Sequence, residues 1–161
     1  MESTKLNECV EALKSKKWTI AFAEGASEGK ICYEFAELPA ADSILLGGMV
    51  AMKDHIKDYF FGIKPELIQK YGSESPEVAK LMADHLCKYL KADISVSVTM
   101  DSQYNHQDGA ETALQSVFIH LLFPDETLSK KYEFTGTKKQ VAQQTVDTIS
   151  QIIIDKVVVV V

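Results

Sequence analysis

The chain has 161 residues, of which 46% are hydrophobic and 25% charged, and a formal net charge of −6 at pH 7. These values are typical of one globular domain, and the acidic balance argues against a general nucleic-acid binder, which carries a basic surface. Three irregularly spaced cysteines, no apolar leader and no membrane-length run indicate free thiols in a reducing compartment. We therefore expect a cytoplasmic protein that binds neither nucleic acid nor membrane.

Helical and strand patterns alternate through the first half of the chain. Apolar residues at helical spacing indicate amphipathic helices, whereas short, uniformly apolar runs indicate strands that are buried on both faces. Gly62 and Pro65 mark the end of one helix and the start of the next. In chain order, the sequence predicts a helix over 3–16, a strand over 18–23, a helix over 26–37, a buried strand over 43–52, and short helices over 53–61 and 65–71.

The second half begins with a strong helix start at Ser75-Pro76-Glu77, which has a serine N-cap, a proline in the first turn and an acidic residue beside it. The predicted elements that follow are a strand over 94–99, a polar loop over 101–112, strands over 113–123 and 132–134, and a closing helix over 141–153. We expect residues 1–161 to form a single α/β domain, a mixed sheet with helices on both faces. The valine run Val157–Val161 is either a non-native addition or a tail that a partner chain covers.

The segment Ala21–Lys30, A-F-A-E-G-A-S-E-G-K, has the outline of a strand, a tight turn and a helix start. Its glycines and lysine superficially resemble a phosphate-binding P-loop. The spacing is one residue short, Ile31 stands where a magnesium-binding hydroxyl belongs, and Glu28 adds a negative charge. On these grounds the segment is predicted to be a structural strand–helix turn.

The wider sequence resembles a known family. A-E-G-A-S-E-G stands where that family has A-E-S-C-T-G-G, and G-S-E-S-P-E-V-A-K-L-M-A over 72–83 is similar to its G-A-V-S-E-x-V-A-x-x-M-A. L-P-A-A-D-S-I-L-L-G-G-M-V-A-M over 38–52, A-D-I-S-V-S-V-T over 92–99 and the F-x-G at 134–136 also match in order and spacing. From about Leu6 to Val157, the chain resembles the C-terminal domain of the CinA proteins, the fold of nicotinamide-nucleotide amidase.

This resemblance implies a three-layer α/β/α sandwich and a homo-oligomer. It also implies a metal-free and cofactor-free hydrolase that converts nicotinamide mononucleotide to nicotinic acid mononucleotide and ammonia. The family's nucleophile is the serine of A-E-S-C-T-G-G, and Gly25 occupies that position here. A serine hydrolase without its nucleophile loses most of its rate. The family's glycine-rich loop after Thr99 is also replaced by a polar stretch that begins at Met100-Asp101.

The remaining candidate site residues follow from the resemblance. Ser27 is the nearest hydroxyl to the missing nucleophile, and Lys57 is either a general base or charge stabiliser or an ordinary solvated lysine. These two are the candidate catalytic residues. The candidate substrate-binding residues are Glu24, Gly25, Gly29, Ser75, Thr99 and Lys138, the last of which stands where the family has arginine.

Two main functions are therefore in competition. The first is a catalytically degenerate amidase fold that serves as a binding or assembly module, either for a small nucleotide such as nicotinamide mononucleotide or for a second copy of itself. The second is an active nicotinamide mononucleotide deamidase that uses Ser27 or another replacement group, and hydrolysis of a different small amide is a third alternative. Loss of the nucleophile at Gly25 favours the first on mechanistic grounds, and a hydrogen bond between Ser27 and Lys57 would favour the second.

Overall fold

A five-stranded mixed sheet runs through the centre of the molecule. The computed structural model describes residues 3–103 and 113–158. The strand order is β2-β1-β3-β4-β5; β1 pairs in parallel with β2 and β3, and β4 and β5 add antiparallel. The strands are β1 (Ile20–Glu24), β2 (Leu45–Val50), β3 (Ile94–Gln103), β4 (Ala113–Leu122) and β5 (Thr127–Gly136).

Helices cover both faces of this sheet. Successive residues of β1 point to opposite faces, so the strand contributes to the core on each side. Phe22 contacts one hydrophobic core, whereas Ala21 and Ala23 belong to the other. The first core packs α1 (Thr4–Lys16), α2 (Lys30–Ala36) and α6 (Lys138–Val157) on the sheet; the second packs α3 (Asp54–Phe61), α4 (Pro65–Tyr71) and α5 (Pro76–Leu90). The predicted three-layer α/β/α sandwich is confirmed.

The parallel strands bring their carboxyl-terminal ends together at one edge of the sheet. The chain leaves β1 for β2 on one side and later returns to β3 on the other, so β1 lies at the point where the strand order reverses. In open α/β sheets, ligands bind beside the carboxyl ends of the strands at such a point. The turn after β1 is therefore where this fold places a site.

Two boundaries in the first half differ from the sequence prediction. The helix predicted from residue 26 begins only at Lys30, because 25–29 form a turn in which Glu28 and Gly29 have positive φ values of 61° and 85°. The strand predicted over 43–52 is shorter, and its residues alternate between half-buried and exposed. The prediction that this strand is buried on both faces is wrong, since β2 lies at the edge of the sheet.

Other differences fall in the second half. The first residues of the predicted loop over 101–112 continue β3 to Gln103, and 104–112 lie outside the described residues. The strand predicted over 132–134 is longer, because it pairs with β4 along its whole length as β5. Of the valine run, Val157 ends α6 and 159–161 lie outside the described part.

No helix within 3–103 or 113–158 is both long and apolar enough to cross a membrane.

Gly62 ends α3, the helix that carries Lys57, and has a φ of 62°. Residues other than glycine adopt such a positive φ only at a cost in free energy. A Cβ at this position would also lie 3.2 Å from Nε2 of His85. We expect Gly62→Ala to lower the free energy of unfolding by about 1 kcal/mol, measured by urea denaturation. The same substitution in a His85→Ala background separates backbone strain from this contact, and an unchanged urea midpoint would contradict the prediction.

Candidate functional site

The turn after β1 is built around the buried carboxylate of Glu24, which is 1% exposed. One oxygen, Oε1, accepts hydrogen bonds from Ser27 Oγ at 2.7 Å and from the backbone N–H of Ile31 at 3.1 Å. The other, Oε2, accepts from the N–H of Cys32 at 3.0 Å. The first N–H groups of a helix have no partner within the helix, so Glu24 satisfies those of α2 from the end of β1. Its geometry is that of a structural cap.

Gly25 follows Glu24, and the space beside it is occupied by the carboxylate of Glu74. A Cβ built on Gly25 would overlap Glu74 Oε1 and lie 2.7 Å from Oε2, closer than real Cβ atoms approach. The φ of Gly25 is not in the positive range that excludes other residues. A side chain at position 25 therefore requires the Glu74 carboxylate to move, whereas the backbone conformation allows it.

Three segments of the chain donate hydrogen bonds to Glu74. Its Oε1 accepts from the N–H of Ala26 at 3.0 Å and from Lys57 Nζ at 2.9 Å, and its Oε2 accepts from the N–H of Met100 at 2.9 Å. Glu74 thereby connects the turn after β1, helix α3 and strand β3. Hydrogen bonds to an ionised acceptor are stronger than those between neutral groups, so this carboxylate is firmly positioned.

Lys57 is completely buried, and its ammonium group has a full set of acceptors. Besides Glu74 Oε1, Nζ donates to the carbonyl oxygen and to Oγ of Ser73, both at 2.8 Å. Ser73 Oγ in turn donates to Oδ1 of Asp54 at 2.6 Å. An ammonium group has three N–H donors, and all three are used here. Lys57 is thus an internal member of an ion network and not a solvated surface lysine.

Charged side chains also line the mouth of the site. Glu28 accepts hydrogen bonds from Lys30 at 2.9 Å and from Lys138 at 2.7 Å. These two ammonium groups lower the pKa of the Glu28 carboxyl from 4.5 to about 2, so it is ionised at neutral pH. Helix α6 brings Lys138 to the turn after β1, where it lies beside Glu28.

A cavity of about 320 Å³ lies between this turn, β3, β4 and the start of α6. Gln115, on β4, borders it and is only 5% exposed. The polar and charged residues that border it also include Ser27, Glu28, Lys30, Glu74 and Lys138.

The structure brings some of the predicted site residues together and separates others. Ser27 and Lys138 border the cavity, and Gly25 lies against Glu74 at its floor. Thr99 Oγ1 instead donates to the carbonyl oxygen of Ser75 at 3.0 Å, and neither residue borders this cavity. The Thr99 hydroxyl therefore holds the start of α5 on β3, while Ser75 Oγ caps α5 by accepting from the N–H of Val78 at 3.2 Å.

Ser27 and Lys57 do not form a hydrogen bond with each other: Ser27 donates to Glu24, and Lys57 donates to Ser73 and Glu74. Sequence reasoning missed Glu74 and Gln115. A signal for Glu74 was present, since it stands where the resembling motif has valine. Within the part of the chain that the structure describes, no cluster of His, Cys, Asp or Glu has the arrangement of a metal site.

Comparison with known proteins identifies the family. A model of the CinA C-terminal domain matches residues 2–157. The chain belongs to the CinA C-terminal domain family. A CinA-like protein of Thermotoga maritima is 31% identical over 134 residues, which cover 82% of this chain and 32% of that protein. Another, from Desulfotalea psychrophila, is 26% identical over 151 residues, or 91% of this chain and 36% of that protein.

Solved CinA structures share the fold of this CinA domain. A CinA superfamily protein from Klebsiella pneumoniae superposes with a TM-score of 0.82 at 18% identity and covers 95% of each chain. A competence/damage-inducible protein from Agrobacterium tumefaciens gives 0.77 at 16% identity and covers 96% of each chain. The chain spans about a third of the length of the curated relatives it matches.

The contact between Gly25 and Glu74 predicts that substitutions at these two positions are coupled. Gly25→Ser alone places atoms inside the Glu74 carboxylate and is expected to destabilise the CinA domain by about 1–3 kcal/mol. Glu74→Val, which restores the residue of the resembling motif, removes that clash. A double-mutant cycle followed by urea denaturation should give a favourable coupling free energy of about 1–3 kcal/mol. Additive effects would contradict the contact.

The buried position of Lys57 predicts a large effect of removing its charge. Lys57→Met leaves the Glu74 carboxylate without its cation, and we expect a loss of about 3–5 kcal/mol in unfolding free energy. Lys64→Met is the matched control on the same side of the sheet, because Lys64 pairs with Asp58 at the surface and should cost less than about 1 kcal/mol. Equal losses in the two variants would show that Lys57 is not an internal ion-pair partner.

Proposed function

We propose that this CinA domain is a catalytically degenerate amidase fold that binds a small nucleotide, such as nicotinamide mononucleotide, without hydrolysing it. One observation carries the proposal: the Glu74 carboxylate fills the space that a nucleophilic side chain at position 25 requires. Addition to an amide carbonyl needs an activated oxygen, and neither the side chain nor the room for it is present.

The hydrogen-bond donors around position 25 support the same proposal. In acyl transfer by a nucleophile on a strand–helix turn, the backbone N–H of the following residue stabilises the developing oxyanion. Here the N–H of Ala26 and that of Met100 both donate to Glu74. A fixed carboxylate at this point opposes the formation of a second negative charge, so the environment disfavours the transition state as well as the attack.

The state of Lys57 points in the same direction. A lysine that serves as a general base needs a free lone pair on Nζ. In this structure Nζ donates to Ser73 twice and to Glu74 once, so the protein uses all of its hydrogen-bonding directions. Lys57 therefore acts as a structural cation that holds Glu74 in place.

The binding half of the proposal depends on the cavity. Its volume suits a small ligand, it lies at the carboxyl ends of the parallel strands, and it is bordered by Lys30 and Lys138 at the mouth. The ammonium groups of Lys30 and Lys138, which pair with Glu28, are charged donors of the kind that bind the phosphate of a ligand. A mononucleotide combines such an anionic group with a flat heterocycle of a size that this cavity holds.

One observation favours the second candidate, an active deamidase that uses Ser27. Ser27 borders the cavity, and its hydroxyl donates to a buried carboxylate, that of Glu24, which is a conceivable general base. Against it, the same carboxylate accepts two backbone N–H groups from α2. The Glu24 carboxylate is therefore already engaged as the cap of α2.

Ammonia release from nicotinamide mononucleotide separates the two candidates. We expect the parent protein and a Ser27→Ala variant to match a protein-free blank, while calorimetric titration shows that the parent binds the nucleotide. Ammonia produced by the parent and abolished in Ser27→Ala would overturn the degenerate function and identify the nucleophile.

A third protein in this experiment tests whether Glu74 prevents catalysis in the cavity. The double variant Gly25→Ser/Glu74→Val returns both the hydroxyl and the space around it, and some ammonia release is expected from it. Gly25→Ser with Glu74 retained is the matched control and should stay at the blank rate. Absence of nucleotide binding by the parent would contradict the binding function.

A further inference from the structure

The position of Glu74 also determines what kind of ligand group the cavity accepts. We propose that Glu74 makes this site selective for ligands that present an N–H donor, such as a primary amide, and that it excludes the corresponding carboxylates. For nucleotides this inference rests on the proposed function, whereas for the chemical group itself it rests on the geometry of the floor alone.

The first step is the acceptor capacity of Glu74. A carboxylate offers about four acceptor positions, and the protein uses three of them, two on Oε1 and one on Oε2. The side chain is 19% exposed, and it borders the cavity. One acceptor position on Oε2 is therefore left for a donor that arrives from the cavity.

The second step is the reversed polarity of the floor. The backbone N–H groups of Ala26 and Met100 would bind a carbonyl or carboxylate oxygen of a ligand if they were free, but Glu74 takes both. A ligand meets an anionic acceptor there in place of two donors. A carboxylate placed beside Glu74 faces a like charge in a partly buried site, and such juxtaposition weakens binding.

Gln115 is a second polar group that borders the cavity, and it is 5% exposed. Its side-chain amide carries two N–H donors and a carbonyl acceptor. A primary amide supplies both an acceptor and donors, so it satisfies Gln115 and Glu74 together, whereas a carboxylate supplies acceptors only.

The test compares amide and acid forms of otherwise identical ligands. Dissociation constants are measured by titration for nicotinamide mononucleotide and nicotinic acid mononucleotide, and for benzamide and benzoate, which lack the ribose phosphate. In the parent we expect at least about a tenfold preference for the amide in each pair that binds, as for one hydrogen bond to a charged acceptor. Glu74→Gln should reduce this ratio to less than about threefold.

Glu77→Gln is the matched control, because it removes the same charge from an exposed residue nearby and should leave the ratio unchanged. If Glu74→Gln loses its cooperative thermal transition, Gln115→Leu replaces it and should weaken amide binding at least about fivefold with a smaller effect on the acid. The ratio of acid to amide dissociation constants in the parent protein can be measured whether or not the variants fold.

The outcomes distinguish this inference from the proposed function. Benzamide preferred over benzoate, with no binding of either nucleotide, contradicts the nucleotide function and supports the selectivity. Equal binding of the two nucleotides supports the nucleotide function and overturns the selectivity. A preference for the acids, a ratio that Glu74→Gln leaves intact, or no binding of any of the four compounds also overturns it.

Discussion

The ion pair between Lys57 and Glu74 is the interaction on which the rest of the site depends. Lys57 is fully buried, and a buried charge is tolerated only when it is paired and hydrogen-bonded. Ser73 and Glu74 supply these partners from the segment between α4 and α5, and Glu74 extends the network to the turn after β1 and to β3. One ion pair therefore fixes the relative positions of three chain segments that form the floor of the cavity.

The role of Gly25 becomes clear only from its contact with Glu74. Considered alone, a glycine at a nucleophile position is a simple loss of function. In the structure, the glycine makes room for a carboxylate that takes the backbone donors next to the missing hydroxyl. The two residues therefore have to be considered together, because the fixed anion of Glu74 occupies the space that a side chain of residue 25 would need. The surrounding fold is that of the CinA C-terminal domain.

The turn itself persists for a reason that does not involve catalysis. Glu24 ends β1 and holds the start of α2 through two backbone N–H groups, with Ser27 closing the turn on the same carboxylate. If the start of a helix that packs on a sheet has no cap, its first backbone N–H groups are buried without hydrogen-bond partners. This lowers the stability of the fold. The outline of a nucleophile turn is thus maintained by helix capping, whether or not a nucleophile stands in it.

The sequence by itself determined the layers and most elements, because apolar periodicity and local signals such as the Ser75 N-cap and Gly62 act over a few residues. It also showed that Gly25 cannot be a nucleophile. Only the tertiary structure decided that β2 is an edge strand, that α2 begins at Lys30 and that Glu74 fills the space beside Gly25. Those facts depend on contacts between segments far apart in the chain, and no local pattern of residue types encodes such distances.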